Sequence, residues 1–300
     1  MKKLTKTTKT TKSAILKRRG YSYLKQYWQK KFRNSSFLEC KRFLGRGSFG
    51  SVYFVRRKPS KNDGFPEEMA VKTAKMSKAS TLRYEKRLFS ILKSSPYVIR
   101  CYGDQETEED VGGYSFGAFN KGEKIYKLFL EFCSGGSLND YIKKSVNGCF
   151  HANEGIVHCD IKPDNILLVP RNDHGFTAKI ADFGLSKDLF LESEESPDIR
   201  GSYRYMSPEI IMEGLQTFSA DIWALGCVVV EMMSGEPAWG YGLGRKKLLK
   251  RIGYTSEVPE IPNNISEDAK DFVSKCLNRC SIFRCRALDL LEHPFISEED

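Results

Sequence analysis

From Phe37 to Phe132 the chain alternates short apolar-rich runs with polar turns. Cys40–Leu44, Ser51–Arg56, Met69–Thr73, Val98–Tyr102 and Tyr126–Phe132 are rich in β-branched and aromatic residues and predict strands. Between the third and fourth runs, Leu82, Leu88, Phe89, Ile91 and Leu92 recur at helical spacing and predict one helix. Asp104 to Lys124 is first acidic and then glycine-rich, which predicts a long surface loop. Beyond Gly135-Gly136 the period becomes helical, with helices predicted over 220–233, 244–252, 266–277 and 286–292. The pattern is that of an α+β fold: a small β-rich lobe over 37–133, then a larger α-rich lobe over 134–296. No internal repeat is visible.

Composition narrows the class. The 300 residues suffice for one large domain or two lobes, and 40% hydrophobic with 12% aromatic residues is enough to fill a core. The net charge of +10 raises a nucleic-acid reading, but its location argues against one. Residues 1–42 hold 14 Lys and Arg against Glu39 alone, leaving 34 Lys and Arg against 37 acids in the remainder. The basicity therefore belongs to an extension over 1–36, expected to be largely disordered and solvated. Lys17, Arg18 and Arg19 could act as a nuclear address or contact an acidic partner, and the acid-free start is weakly similar to a transit peptide. Tyr21, Tyr23, Tyr27, Trp28 and Phe32 suggest that part of 21–36 packs on something. No apolar run reaches the roughly 20 residues of a membrane-spanning helix, and no secretory signal is expected. Nine scattered cysteines without a C-x-x-C pair indicate reduced thiols in the cytosol, with the nucleus as the alternative, rather than zinc or disulfides.

Five constellations carry chemistry. Gly45-Arg46-Gly47-Ser48-Phe49-Gly50 is a G-x-G-x-x-G run, which alone marks either a dinucleotide site or a simple turn. A dinucleotide site needs a helix after the glycines, whereas Val52-Tyr53-Phe54-Val55 reads as a strand. A glycine hairpin between strands can instead lie over phosphates and offer backbone N–H groups. Lys72, in the apolar strand Ala70-Val71-Lys72, needs a partner for its charge, and Glu85 on the predicted helix can supply it. A plain buried ion pair is the alternative at that point. His158-Cys159-Asp160-Ile161-Lys162-Pro163-Asp164-Asn165, Asp182-Phe183-Gly184 and Ser207-Pro208-Glu209 complete the set.

Together these runs resemble the eukaryotic protein kinases from about Phe43 to Phe295. Within them the chain most resembles the plant MAP kinase kinase kinase group, through "GRGSFGSV", "GGSLNDYI", "GIVHCDIKPDNILL", "ADFGLSK" and "ADIWALGCVVVEMMSG". The resemblance implies a bilobal kinase fold that uses ATP and Mg²⁺ to phosphorylate protein Ser/Thr hydroxyls in signal transduction, the partner being a downstream kinase. Gly45, Arg46, Gly47, Ser48, Phe49 and Gly50 would cover the phosphates, and Lys72 would hold them, oriented by Glu85. Val52, Ala70 and Leu167 would enclose adenine, whose edge would meet the hinge Glu131-Phe132-Cys133, with Leu130 behind it. Asp160 would orient the substrate hydroxyl and accept its proton. Lys162 would face the γ-phosphate, and Asn165 and Asp182 would be the metal ligands. Lys162 and Ser202 imply Ser/Thr rather than Tyr specificity. Glu209 would pair with Arg284, Asp221 would cap the catalytic-loop backbone, and His158 and Phe183 would pack in an apolar column with Phe89 and Cys101.

Two departures qualify the resemblance. Cys159 stands where most kinases have an arginine that pairs with an activation-loop phosphate. The loop expected over Leu185–Arg200 also carries Asp188, Glu192, Glu194, Glu195 and Asp198, which would repel such a phosphate. In addition, Leu130 and Asp160 are only 30 residues apart, against roughly 45 in related kinases, which place a helix of about 20 residues there. The helix before the catalytic loop is thus shortened or missing, which predicts an apolar trough beside Ile222, Leu225, Phe272 and Val273. The alternatives to an active kinase are a pseudokinase scaffold that binds nucleotide without turnover, or a truncated gene model of an active enzyme.

Overall fold

The computed structural model describes residues 38–47, 50–57, 66–108, 122–141, 155–190 and 199–297. The basic extension over 1–36, the aromatic cluster at 21–32 and the shortened interval over 142–154 lie outside the described residues. The chain divides into two compact units, one comprising residues up to Lys86 with Cys101–Phe132, the other Arg87–Arg100 with everything from Cys133.

The first unit is a five-stranded antiparallel sheet of β1 (Leu38–Gly47), β2 (Gly50–Arg57), β3 (Glu68–Lys75), β4 (Cys101–Glu108) and β5 (Lys124–Glu131), in the order β1-β2-β3-β5-β4. Burial alternates along β2, the signature of a strand with one covered face. On the central β3 it is continuous from Met69 to Ala74. Tyr53, Val55, Met69, Val71 and Phe129 form the core. The register places Lys72 opposite Val52 and Ala70 opposite Leu130. Helix α1 (Ser80–Ile91) follows β3, with Leu82 and Leu88 fully buried, and the division between the units falls inside it.

The strand expected over Val98–Tyr102 begins only at Cys101 and runs on to Glu108. The first residues of the expected Asp104–Lys124 loop are therefore strand, and Lys124 opens β5. The acidic side chains of β4 are paired sideways. Asp104 accepts from Lys86 Nζ and, at 2.8 Å, from Tyr126 Oη, and Glu106 pairs with Arg83 at 2.7 Å. An acidic strand with cationic neighbours carries no apolar alternation to betray it.

The second unit is built on helices. After the short α2 (Leu138–Tyr141) come two ribbons, β6 (Ile156–Val157) with β9 (Lys187–Asp188) and β7 (Ile166–Pro170) with β8 (Phe176–Ile180). Then follow α3 (Pro208–Glu213), α4 (Phe218–Ser234), α5 (Arg245–Tyr254), α6 (Glu267–Cys276), α7 (Ala287–Leu291) and α8 (Pro294–Ser297). The β9 strand corrects the uninterrupted loop expected over Leu185–Arg200. Helix α4 is the axis, buried without a break from Ile222 to Glu231. Gly226 permits close approach of α6, since a Cβ there would lie 2.8 Å from the Cβ of Cys276.

Phe272 and Val273, expected to be left facing a trough, instead pack with Trp223, Trp239, Leu248 and Ile252 in the main core. Ile222 and Leu225 do border a void. An apolar pocket of about 350 Å³ is also lined by Ile156, Ile161, Phe218 and Leu288. Among the described residues no helix is long and apolar enough to cross a membrane.

Candidate active site

The glycine run folds as the end of the β1–β2 hairpin, with Gly47 opposite Gly50. Ser48 and Phe49 lie outside the described residues. A Cβ on Gly50 would sit 2.1 Å from the Thr73 carbonyl oxygen, so only glycine brings β2 this close to β3. Among the described residues nothing lies within 4 Å of the Cβ positions of Gly45 and Gly47, and Arg46 Nε reaches Ser51 Oγ at 3.4 Å. On β3, Lys72 is buried and its Nζ donates to Glu85 Oε2 at 2.8 Å. Removing either partner would strand a charge in the interior, at a cost of about 3–5 kcal/mol. On the same sheet, Val52, Leu130 and Glu131 lie on β2 and β5 beside Ala70.

In the second unit the catalytic loop is held by a dense polar set. Asp221, in the first turn of α4, accepts from His158 N at 2.7 Å and Cys159 N at 3.0 Å. Burial pushes its carboxyl pKa up, while the nearby His158 and these two N–H donors oppose the shift. Asn165 Nδ2 donates to the Asp160 carbonyl at 2.8 Å and to Asp160 Oδ2 at 3.0 Å. Lys162 Nζ donates to Asp160 Oδ2 at 2.7 Å and to Ser202 Oγ at 3.0 Å, and Ser202 N donates to Asp160 Oδ1 at 2.8 Å. Both carboxylate oxygens are thus aimed by donors from three residues. Gly201 makes this approach possible: its φ is +106°, and a Cβ would meet the Cys159 carbonyl oxygen at 2.2 Å.

Asp182 adopts a left-handed conformation, φ 63° and ψ 73°, and its Oδ1 accepts from Gly184 N at 3.3 Å. Such a backbone costs a non-glycine residue about 1–2 kcal/mol and is a common mark of functional positions. Ala181 N donates to the Asn165 carbonyl at 2.9 Å, so the chain entering Asp182 is laid against Asn165. The amide nitrogen of Asn165 is engaged with Asp160, which turns its oxygen away from that residue. A carboxylate and an amide oxygen are the hard donors that suit a small divalent cation, so the pair fits one. His158 Nε2 bonds the Ala181 carbonyl at 3.0 Å. Its ring stacks edge-on with Phe183 at 5.0 Å, and Phe183 with Phe89 at 5.3 Å, a packing role as expected. Leu167 lies on β7, bridged to Ser137.

Glu209 on α3 receives both guanidinium arms of the wholly buried Arg284, at 2.6 and 3.0 Å. Cys159 has φ 65° and directs its thiol at the Val157 carbonyl, and burial pushes that thiol well above its ordinary range. Ser193 and Ser196 lie outside the described residues. Sequence reasoning missed one contact: Asp188, counted among repelling loop acids, is buried on β9 and accepts from Arg87 Nη2 at 2.9 Å. Nothing in the motifs singles out Arg87.

Residues 38–296 match the protein kinase domain family, and the chain belongs to it. It is a serine/threonine protein kinase. Mitogen-activated protein kinase kinase kinase 20 of Arabidopsis thaliana is 38% identical over 278 residues, which cover 85% of this chain and 76% of that protein. Mitogen-activated protein kinase kinase kinase 18 of the same plant is 35% identical over 283 residues (86% and 76%), and number 17 is 34% identical over 278 (85% and 68%). The family implies ATP, a divalent cation and protein substrates, and the scaffold alternative is not favoured.

Proposed function

We propose that this kinase transfers the γ-phosphate of ATP, taken as its Mg²⁺ complex, to Ser or Thr hydroxyls of a downstream kinase in a mitogen-activated cascade. The single observation that carries the reading is the network on Asp160, which fixes a carboxylate, a lysine and an amide at one spot. The names of the three relatives support the substrate class. Backbone N–H groups of Gly45 to Gly50 cover the phosphates, and Lys72, held by Glu85, neutralises them. Val52, Ala70 and Leu167 contact adenine, whose edge bonds the backbone of Glu131 and Cys133 with Leu130 behind.

Mg²⁺ on Asp182 and Asn165 would supply charge neutralisation on the phosphate oxygens. The chain's own residues do the rest. Asp160 orients the attacking hydroxyl and accepts its proton, the two Oδ atoms being held in place by Ser202 N, Lys162 and Asn165. Lys162 faces the transferred group. Phosphoryl transfer has a loose, highly charged transition state, so positioning and fixed cations supply most of the rate. The free thiols are consistent with a reducing compartment, the cytosol or nucleus.

The test is incorporation of radiolabelled phosphate from ATP and Mg²⁺ into a generic basic protein and into inactive plant MAP kinase kinases. Lys72→Met and Asp182→Asn should each lower transfer by roughly a thousand-fold while a cooperative thermal melt remains, at a lower temperature in Lys72→Met because Glu85 loses its cation. Turnover like that of the unmodified chain in either variant would overturn the assignment. Transfer to the basic protein without transfer to any MAP kinase kinase would remove the cascade and leave the kinase.

A further inference from the structure

The turn that follows Ser202 carries charge that the assigned chemistry does not use. Ser202 N donates to Asp160 Oδ1 at 2.8 Å, so the residues next in the chain stand beside the place of the acceptor hydroxyl. They are Tyr203 and Arg204, in a short 3₁₀ turn (Tyr203–Tyr205). The Tyr203 ring collects two guanidiniums. That of Arg204 lies 5.9 Å from its centroid, and that of Arg245, the first residue of α5, lies 5.8 Å from it. All of these residues belong to the second unit.

Little counter-charge meets them. Arg204 Nη1 donates to the Gly240 carbonyl at 3.1 Å. Glu231 lies near enough to feel the Arg204 charge, but it is buried and already accepts from Tyr205 Oη and Ala238 N, each at 3.1 Å. Among the described residues neither arginine forms a salt bridge, and neither do the exposed Lys246 and Lys247 that follow Arg245. The first turn of α5 holds no acid. The helix dipole disfavours cations at that end, so three of them stand there against local stability. A guanidinium stacked on a ring uses its face and keeps the N–H groups of its edge, the geometry that grips a carboxylate or a phosphate.

We propose that Arg204 and Arg245, gathered at Tyr203, select protein substrates that carry an anionic side chain close to the phosphorylated Ser or Thr, either a carboxylate or a phosphate placed there earlier. They are specificity residues and leave the chemistry to Asp160 and Lys162. The proposal rests on Asp160 as the group that receives the acceptor hydroxyl, so one arm of the test needs no turnover.

The test uses the full chain and peptides with a single Thr acceptor among neutral side chains. Asp, phosphoserine or Lys is placed in turn at the nearest positions on either side of the Thr. The readout is the ratio of kcat/KM for each peptide to that for the neutral parent, taken within each enzyme, so a general loss of activity cancels. With the unmodified chain an anion at the best position should raise the ratio about tenfold, and Lys at the same position should lower it. Arg204→Met and Arg245→Met should each cut the gain to about threefold, and the double variant should abolish it. Arg245→Glu should favour the Lys peptide over the Asp peptide. A gain with Asp names a carboxylate and a gain with phosphoserine alone names a phosphate, and either upholds the proposal.

No preference for an anion in the unmodified chain, or a preference that survives the double variant, would overturn it. Arg204 is half-buried, so if Arg204→Met fails to fold, the exposed Arg245 decides alone: reversal in Arg245→Glu supports the proposal, and an unaltered preference overturns it. If the unmodified chain phosphorylates no peptide, it is the kinase assignment that fails, and binding still decides the inference. Fluorescence anisotropy then compares labelled peptides with Ala in place of the Thr. Tighter binding of the acidic than of the neutral peptide, lost in Arg245→Met, upholds the selection, and equal binding overturns it.

Discussion

The two units satisfy buried charge in different ways. The sheet unit buries Lys72 on its central strand, where its Nζ donates to the buried Glu85 at 2.8 Å. In the helical unit Asp160, Asp221 and Arg284 each take part in two or more hydrogen bonds. The contrast extends to apolar packing. In the sheet unit Tyr53, Val55, Met69, Val71 and Phe129 pack as one buried cluster, and in the helical unit a pocket of about 350 Å³ lies beside the loop that carries Asp160. A polar network can thus hold a loop in place even where the apolar support under it is incomplete. Packed interiors ordinarily lose stability with each void.

The largest effect that would break this comparison is at Glu209. Glu209→Gln leaves Arg284 charged and wholly buried, and should lower stability by about 3–5 kcal/mol, read as a fall in the midpoint of urea unfolding. A loss under 1 kcal/mol would show that the carbonyls of Ser219 and Asn278, which Arg284 also reaches, suffice to hold it.

Next comes the pocket. Inserting a helix of about 16 residues from a close relative between Val146 and Cys149 should raise the melting temperature. It should also raise turnover by up to about 100-fold, the effect of correcting a ~1 Å misplacement. Equal melts and equal turnover in the two chains would mean that the polar network alone sets the catalytic loop.

The smallest effect concerns the activation segment. Ser193→Ala with Ser196→Ala should change basal transfer by less than about tenfold, or 1.4 kcal/mol. Cys159 offers no cation to a phosphate, and Asp188 already occupies Arg87. Near-total loss of transfer would assign a cation elsewhere to that phosphate.

The side chains proposed for catalysis and metal binding could be picked out because they stand close together in the sequence. Asp160, Lys162, Asn165 and Asp182 stand in short runs whose spacing is fixed by one loop, and a linear motif captures a local arrangement. The strands β2, β3 and β5 were legible for another local reason, their apolar residues at period two or in unbroken runs. β4 was not, because Asp104, Gln105 and Glu106 look like loop residues until Lys86, Tyr126 and Arg83 are brought beside them from elsewhere in the chain. Arg87 and Asp188 are 101 positions apart, and neither belongs to a motif. Charges that pair across such a distance leave no periodicity. The fate of Phe272 and Val273 was misjudged for a related reason: which helix covers an apolar face depends on tertiary packing, and here α4 and its neighbours cover both.

The Arg284–Glu209 pair also bears on how the chain is made. Its members are 75 residues apart, with Glu209 synthesised first. At about 5–20 residues per second, the carboxylate waits roughly 4–15 s on the ribosome for its guanidinium. During that wait α3 has neither its ion pair nor the α6 and α7 elements that follow. The helical unit is therefore committed late in translation, its nascent apolar faces are exposed to chaperones for seconds, and Arg284 acts as the closing bolt of a vectorial assembly.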